Sequence, residues 1–217
     1  MIRCVLFDFD GTVFDTVEGI TRSVQYAARK QGLNPALREL RCFAGPPLVD
    51  MFMEHFGFEQ AAAERAVVDF RERYNPIGLY ECRVFPGMKE ALLELRRRGY
   101  LVGIATSKPQ ILAEELLGRE DMLPLFDGIV GSSTDGNNNS KADVLRAVME
   151  KLSVTPEETV LVGDTKYDVR GAKACNVSCI GVGWGYAAEG ELEQAGADRI
   201  VPNLEALLAQ FPERNLT

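Results

Sequence analysis

Between Tyr100 and Asn203 five short apolar runs recur, each separated from the next by a stretch with helical spacing. That alternation constrains the fold more than any other feature of the chain. The runs are YLVGIAT (100–106), DGIVGSS (127–133), TVLVGD (159–164), VSCIGVG (177–183) and DRIVPN (198–203). Strands buried on both faces read as nearly continuous apolar runs, and strands alternating with helices build a parallel sheet covered on both sides. Helices are expected over 109–118, 141–152, 168–175, 188–195 and 204–211. RCVLFDF (3–9) is a further run of the same kind and belongs to this sheet, although it lies far upstream.

The segment after that first run has a different pattern. EGITRSVQYAARKQGL, PPLVDMFMEHFGF and EQAAAERAVVDFRERYN carry apolar residues at helical spacing with no strand-like run among them. GLNP (32–35), AGPP (44–47) and NPIG (75–78) mark the turns. The chain returns through VFPGM (84–88) to a helix over 87–98 that stops at Gly99. The expectation is an α/β fold, a Rossmann-like parallel sheet made from residues 1–15 and 83–217, with an α-helical subdomain, 16–82, inserted after the first strand.

At 217 residues and 46% hydrophobic, the chain has enough apolar material for a core domain and a smaller one. A net charge of -8 argues against binding a nucleic acid polymer, which takes clustered Lys and Arg. The five cysteines are odd in number and lack CxxC or Cys/His metal spacing, so they read as reduced thiols. No targeting leader is evident, and no apolar run approaches the roughly 20 residues of a membrane span. A cytoplasmic enzyme, free of membrane and polymer partners and monomeric or weakly dimeric, is expected.

In open α/β sheets the site lies beyond the carboxyl ends of the strands. Those ends carry Asp8-Phe9-Asp10-Gly11-Thr12, then Thr106-Ser107-Lys108, then Asp164-Thr165-Lys166-Tyr167-Asp168, and Lys141 opens the helix after the third run. Several carboxylates converging on one crevice raise one another's pKa, and a divalent cation removes that penalty. An all-oxygen ligand set without His or Cys suits a hard ion, Mg²⁺, with Asp8 and Asp164 as carboxylate ligands and a phosphate as the companion. The lysines and the Thr106 hydroxyl then suit the other phosphate oxygens. Two aspartates spaced i, i+2 face one side of an extended chain. One carboxylate can attack phosphorus while its neighbour protonates the leaving oxygen and afterwards activates water. Gly11 allows a sharp turn directly after the pair.

Each feature also has a plainer reading. Asp10-Gly11 alone is a turn signal. Ser107 suits capping the helix that begins near Pro109, and for Lys108 site and surface readings stand level. Asp168 can serve as a helix N-terminal charge, and Asp15 as the end of a turn. His55 reads as structural or exposed. GVGWG (181–185) lacks dinucleotide spacing and reads as a structural loop near the site, and TDGNNNS as a flexible turn. AGPPL (44–48) is rigid enough for a loop that meets substrate, through Gly45 and Pro46.

DFDGT after an apolar strand, IATSK, an isolated Lys141 and VGDTKYD, in that order along nearly the whole chain, resemble the four motifs of the haloacid dehalogenase-like superfamily. The resemblance implies Asp8 as nucleophile, Asp10 as general acid/base, and Thr106 and Lys141 as stabilisers of phosphate and nucleophile. It implies a Mg²⁺ site of Asp8, Asp164, the backbone carbonyl of Asp10 and, less directly, Asp168. Gly11, Thr12, Ser107, Lys108, Gly45 and Pro46 are the candidate substrate contacts. The helical insertion looks like the family's C1 cap. Asp10 is absent from the metal-free dehalogenase branch; the only lysine in the helical insertion, Lys30, sits in an ordinary helical stretch rather than resembling a Schiff-base lysine; and FDTVEGITRS has no His of the β-phosphoglucomutase type. The layout is most similar to phosphoglycolate phosphatase-like and 5'-nucleotidase-like members. The expected activity is hydrolysis of a small phosphomonoester through an aspartyl-phosphate, with a phosphomutase or a non-catalytic phosphometabolite-binding module as alternatives.

Overall fold

The computed structural model describes residues 1–133 and 140–214. TDGNNN (134–139) lies outside the described residues. The chain divides into two compact units, residues 1–14 with 84–217, and residues 15–83. It passes between them through two short strands that pair with each other, β2 (Phe14–Asp15) and β3 (Arg83–Val84).

The larger unit is built on a six-stranded sheet. Its strands are β1 (Cys4–Phe7), β4 (Leu101–Pro109), β5 (Gly128–Ser132), β6 (Thr159–Gly163), β7 (Ser178–Val182) and β8 (Arg199–Val201), in the order β5-β4-β1-β6-β7-β8. Every pairing is parallel, as the apolar runs require, and β1 lies inside the sheet with Cys4 opposite Leu101 on one side and Thr159 on the other. All four β1 side chains are fully buried. Helices α4 (Met88–Arg97), α5 (Gln110–Arg119), α6 (Lys141–Leu152), α7 (Lys166–Ala174), α8 (Glu191–Ala195) and α9 (Leu204–Leu208) belong to this unit. Val144, Leu145 and Val148 of α6 and Val169 and Ala172 of α7 bury their side chains with Cys4, Leu6, Leu161 and Cys179 in one apolar cluster. Burying one such aliphatic side chain stabilises by about 1.5–3 kcal/mol, so this seam anchors α6 and α7, the two helices whose first turns carry Lys141 and Asp168.

The smaller unit contains α1 (Val17–Lys30), α2 (Leu48–Phe56) and α3 (Gln60–Tyr74), with 3₁₀ turns at Leu37–Phe43 and Gly78–Tyr80 that periodicity alone does not reveal. Ile20, Val24, Ala27 and Ala28 form the buried stripe of α1. Phe52 of α2 packs edge-on against Phe43 at 5.1 Å and stacks with Phe58 at 6.1 Å. Lys30 is tied to Asp69 and Glu72 at 2.5 and 2.7 Å, an ordinary surface ion network. His55 is exposed and meets Phe43 and Phe56 edge-on. No helix among the described residues is long and apolar enough to cross a membrane.

Candidate active site

β1 stops at Phe7, and the chain then turns back on itself: the Phe9 carbonyl accepts from the amides of Val13 and Phe14 at 3.0 and 2.9 Å. Asp8 still pairs with β6 through its amide and the Val162 carbonyl, 2.9 Å. Asp10 sits inside the turn, bridged to Phe14. The pair is therefore one strand-end residue and one turn residue, a departure from the simple extended dipeptide. Gly11 enables the turn with φ +83°, a left-handed conformation that disfavours a side chain.

Two ammonium groups enter this cluster. Lys141 Nζ lies 2.6 Å from Asp8 Oδ1 and donates to the Ala105 carbonyl at 3.0 Å. It also lies 2.8 Å from Asp168 Oδ1, at an angle outside that of a hydrogen bond. Burial alone would push the Lys141 ammonium down, but Asp168 and Asp8 together hold it above its usual range. Lys108 Nζ donates to Asp10 Oδ1 at 3.1 Å and its side chain is only 4% exposed. Lys108 is therefore not a surface lysine but is buried against Asp10. Ser107, expected to cap α5, instead lies inside β4, which runs on to Pro109, and no side chain caps α5. Thr106 is buried and its Oγ1 accepts from the Lys108 amide at 3.1 Å, leaving its own hydrogen to donate.

The other carboxylates come from the end of β6 and the start of α7. Asp164 is fully buried and accepts from Thr12 Oγ1 at 3.0 Å and from the Tyr186 amide at 2.8 Å. Thr12 thus serves Asp164, a contact that its reading as a substrate residue missed. Asp168 Oδ2 accepts from the amide and hydroxyl of Thr165 at 3.0 and 2.9 Å, a helix-start acceptor whose other oxygen lies 2.8 Å from Lys141 Nζ. α6 is fixed likewise, Ser140 and Asp143 exchanging hydrogen bonds at 3.2 Å just before Lys141.

Carboxylate oxygens of Asp8, Asp164 and Asp168 lie within 4.8 Å of one another, all buried. Burial pushes the Asp8 carboxyl up, to about 6, against the pull of Lys141. Asp164 is raised well above the usual range by burial and then by Asp168 and Asp8. The donor set fits a divalent cation. Four carboxyl groups (Asp8, Asp10, Asp164, Asp168), none more than 8% exposed, face two ammoniums (Lys108, Lys141), so the buried site holds two more acidic groups than its own cations can pair. All the donors are oxygens.

The chain as a whole is similar to known proteins. Residues 5–182 fit the family model described as haloacid dehalogenase-like hydrolase. The chain belongs to that family. The hydrolase is 41% identical over 204 residues to the 5'-nucleotidase of Pseudomonas aeruginosa, covering 94% of this chain and 92% of the relative. It is 36% identical over 185 residues to the tyrosine-protein kinase PtkA of Mycobacterium tuberculosis, covering 85% of this chain and 63% of that protein's length. The crystal structure of a predicted phosphatase from Clostridium acetobutylicum superposes with a TM-score of 0.93 at 37% identity, over 97% of this chain and 98% of that one.

Of the sequence candidates, the larger unit of the hydrolase brings together Asp8, Asp10, Gly11, Thr12, Thr106, Lys108, Lys141, Asp164 and Asp168. Gly45 and Pro46 belong to the helical unit, between its first 3₁₀ turn and α2, with Gly45 at φ +108°. Trp184, Gly185 and Tyr186 were not singled out by the sequence as site residues. Their signal is a glycine-rich loop at the carboxyl end of β7, the strand beside β6.

Proposed function

We propose that this hydrolase is a Mg²⁺-dependent phosphomonoesterase working through a phospho-aspartate on Asp8, with a nucleoside monophosphate or a phosphoglycolate-like metabolite as substrate. The observation that carries the reading is the charge imbalance of the buried cluster, two carboxylates more than its ammoniums. Asp8, Asp164, Asp168 and the Asp10 carbonyl would hold the ion, which when bound supplies positive charge to the transferring phosphoryl oxygens.

Lys141 holds Asp8 Oδ1 and orients the carboxylate for in-line attack by its other oxygen. The Asp8 O–P bond forms as the bond from phosphorus to the ester oxygen breaks, and Asp10 gives that oxygen its proton. Asp10, now ionised, takes a proton from water; the water oxygen bonds to phosphorus, the Asp8 O–P bond breaks, and phosphate leaves. Lys108 steadies Asp10 through the exchange. Thr106 donates to a phosphoryl oxygen. The inserted helical unit is proposed as the C1 cap that excludes bulk water and selects the leaving group, with Gly45 and Pro46 in contact with substrate. Five free cysteines support a reducing, cytoplasmic setting. A monomer or weak dimer acting on a small metabolite completes the proposal.

The relative named 5'-nucleotidase supports the nucleotide choice. The relative named a tyrosine-protein kinase supports a second reading, in which phospho-aspartate passes its phosphoryl group to an acceptor hydroxyl instead of water. Phosphate release from nucleoside monophosphates, phosphoglycolate and sugar phosphates, with Mg²⁺ and with chelator, on wild type and Asp8→Asn, tests both. Metal-dependent release lost in the variant supports the phosphatase. Product phosphorylation without stoichiometric release supports transfer. Binding without either supports a non-catalytic module.

A further inference from the structure

Asp164 is enclosed by a closed circuit of contacts. Thr12 donates its hydroxyl to Asp164 Oδ1 at 3.0 Å, and the Thr12 carbonyl accepts from the indole Nε1 of Trp184 at 3.1 Å. Two residues on, the Tyr186 amide donates to Asp164 Oδ2 at 2.8 Å. Between them Gly185 lies flat against the aspartate: a Cβ there would run into Asp164 Cβ and Oδ2. A Cβ on Gly11 would likewise strike Asp164 Oδ2 and come 2.7 Å from the Tyr186 ring. Each Asp164 oxygen thus has one neutral donor, and one of the two lies within 4.8 Å of carboxylate oxygens of Asp8 and Asp168.

We propose that Trp184 is a positioning residue for the metal carboxylate. Its indole clamps the loop after β7 onto the turn after β1, and the clamp holds Asp164 in its ligating orientation before the ion arrives. This rests on the Mg²⁺ reading above. A buried carboxylate free to rotate would relax toward a cationic neighbour such as Lys141; the clamp prevents it, so no reorganisation is needed when the ion binds. The indole N–H is the only side-chain hydrogen bond that Trp184 makes among the described residues, so one atom carries the tie.

The test is calorimetric titration of Mg²⁺ into the metal-free enzyme without substrate, for wild type, Trp184→Phe and Gly185→Ala, with the thermal midpoint of each variant. Trp184→Phe keeps an aromatic ring and deletes the donor. The Mg²⁺ dissociation constant is expected to rise about tenfold in Trp184→Phe and further in Gly185→Ala, by up to about a hundredfold. A merely structural tryptophan would lower the midpoint and leave the dissociation constant of the folded fraction unchanged. Wild-type affinity in both variants overturns the positioning role while the Mg²⁺ reading stands. A wild type that binds no Mg²⁺ overturns both.

Discussion

Lys141 Nζ stands between Asp8 Oδ1, at 2.6 Å, and Asp168 Oδ1, at 2.8 Å, so one ammonium from the first turn of α6 joins the end of β1 to the first turn of α7. All three groups are buried. Removing the cation leaves two buried carboxylates with no ammonium between them. Lys141→Met should therefore destabilise the metal-free protein by about 3–5 kcal/mol. Urea denaturation with chelator present measures this. A loss below about 1 kcal/mol would contradict the ion-pair geometry.

Asp8→Asn keeps the shape of the side chain and removes the proposed nucleophile. The fold should be retained by circular dichroism, and kcat should fall by on the order of 10⁵ or more. Asp10→Asn, which spares the attack and removes the proton donor, should cost about 10²–10⁴-fold. Burst experiments should show phospho-enzyme forming slowly in Asp10→Asn and not at all in Asp8→Asn.

The pH dependence of stability has a definite sign. Burial raises the folded-state pKa of Asp8, to about 6, and that of Asp164, above the value near 3.9 of an unfolded aspartate. Acids with raised folded pKa values stabilise the fold fully below the unfolded value and lose that contribution as pH climbs through the folded one. The metal-free protein should accordingly melt a few degrees higher at pH 5.5 than at pH 7.5. Glu94, held down to about 2 by Arg97 and then Arg98, titrates below this window and does not offset it. Mg²⁺ needs ionised ligands, so it should raise the midpoint more at pH 7.5 than at 5.5. Scanning calorimetry at both pH values, with Mg²⁺ and with chelator, reads all four cases.

Gly11→Ala should be costly twice over. The left-handed backbone at φ +83° costs an L-residue about 1–2 kcal/mol, and the added methyl would push against Asp164 Oδ2. Loss of stability together with weakened Mg²⁺ binding is expected. A variant with normal Mg²⁺ affinity would mean that Asp164 has room to move.

The sheet was legible because buried parallel strands leave an uninterrupted apolar run, and the helix Lys141–Leu152 because its apolar residues keep helical spacing. Asp8, Asp164 and Lys141 were legible because charges at strand ends and at the start of a buried helix have no structural excuse. Ser107 was misread because Ser before Pro also looks like a helix start, whereas β4 carries on to Pro109. Lys108 was undecidable locally: whether a lysine is buried depends on its partner, here Asp10, 98 positions upstream. The loop at Trp184 was read as a structural loop near the site, but its contact with Thr12 stayed hidden for the same reason, since it spans 172 positions and is made to a backbone carbonyl that any residue offers.

The interior place of β1 has a consequence for how the molecule comes into being. Its neighbours begin at Leu101 and Thr159, so the first-made strand of this sheet has no partner until much later in translation. At about 5–20 residues per second, Asp8 leaves the peptidyl-transferase centre about 8–30 s before Asp164 is added. Throughout that interval the nascent chain holds the proposed nucleophile without the other carboxylates proposed to hold the ion. The proposed site therefore cannot be complete before β6 has been made.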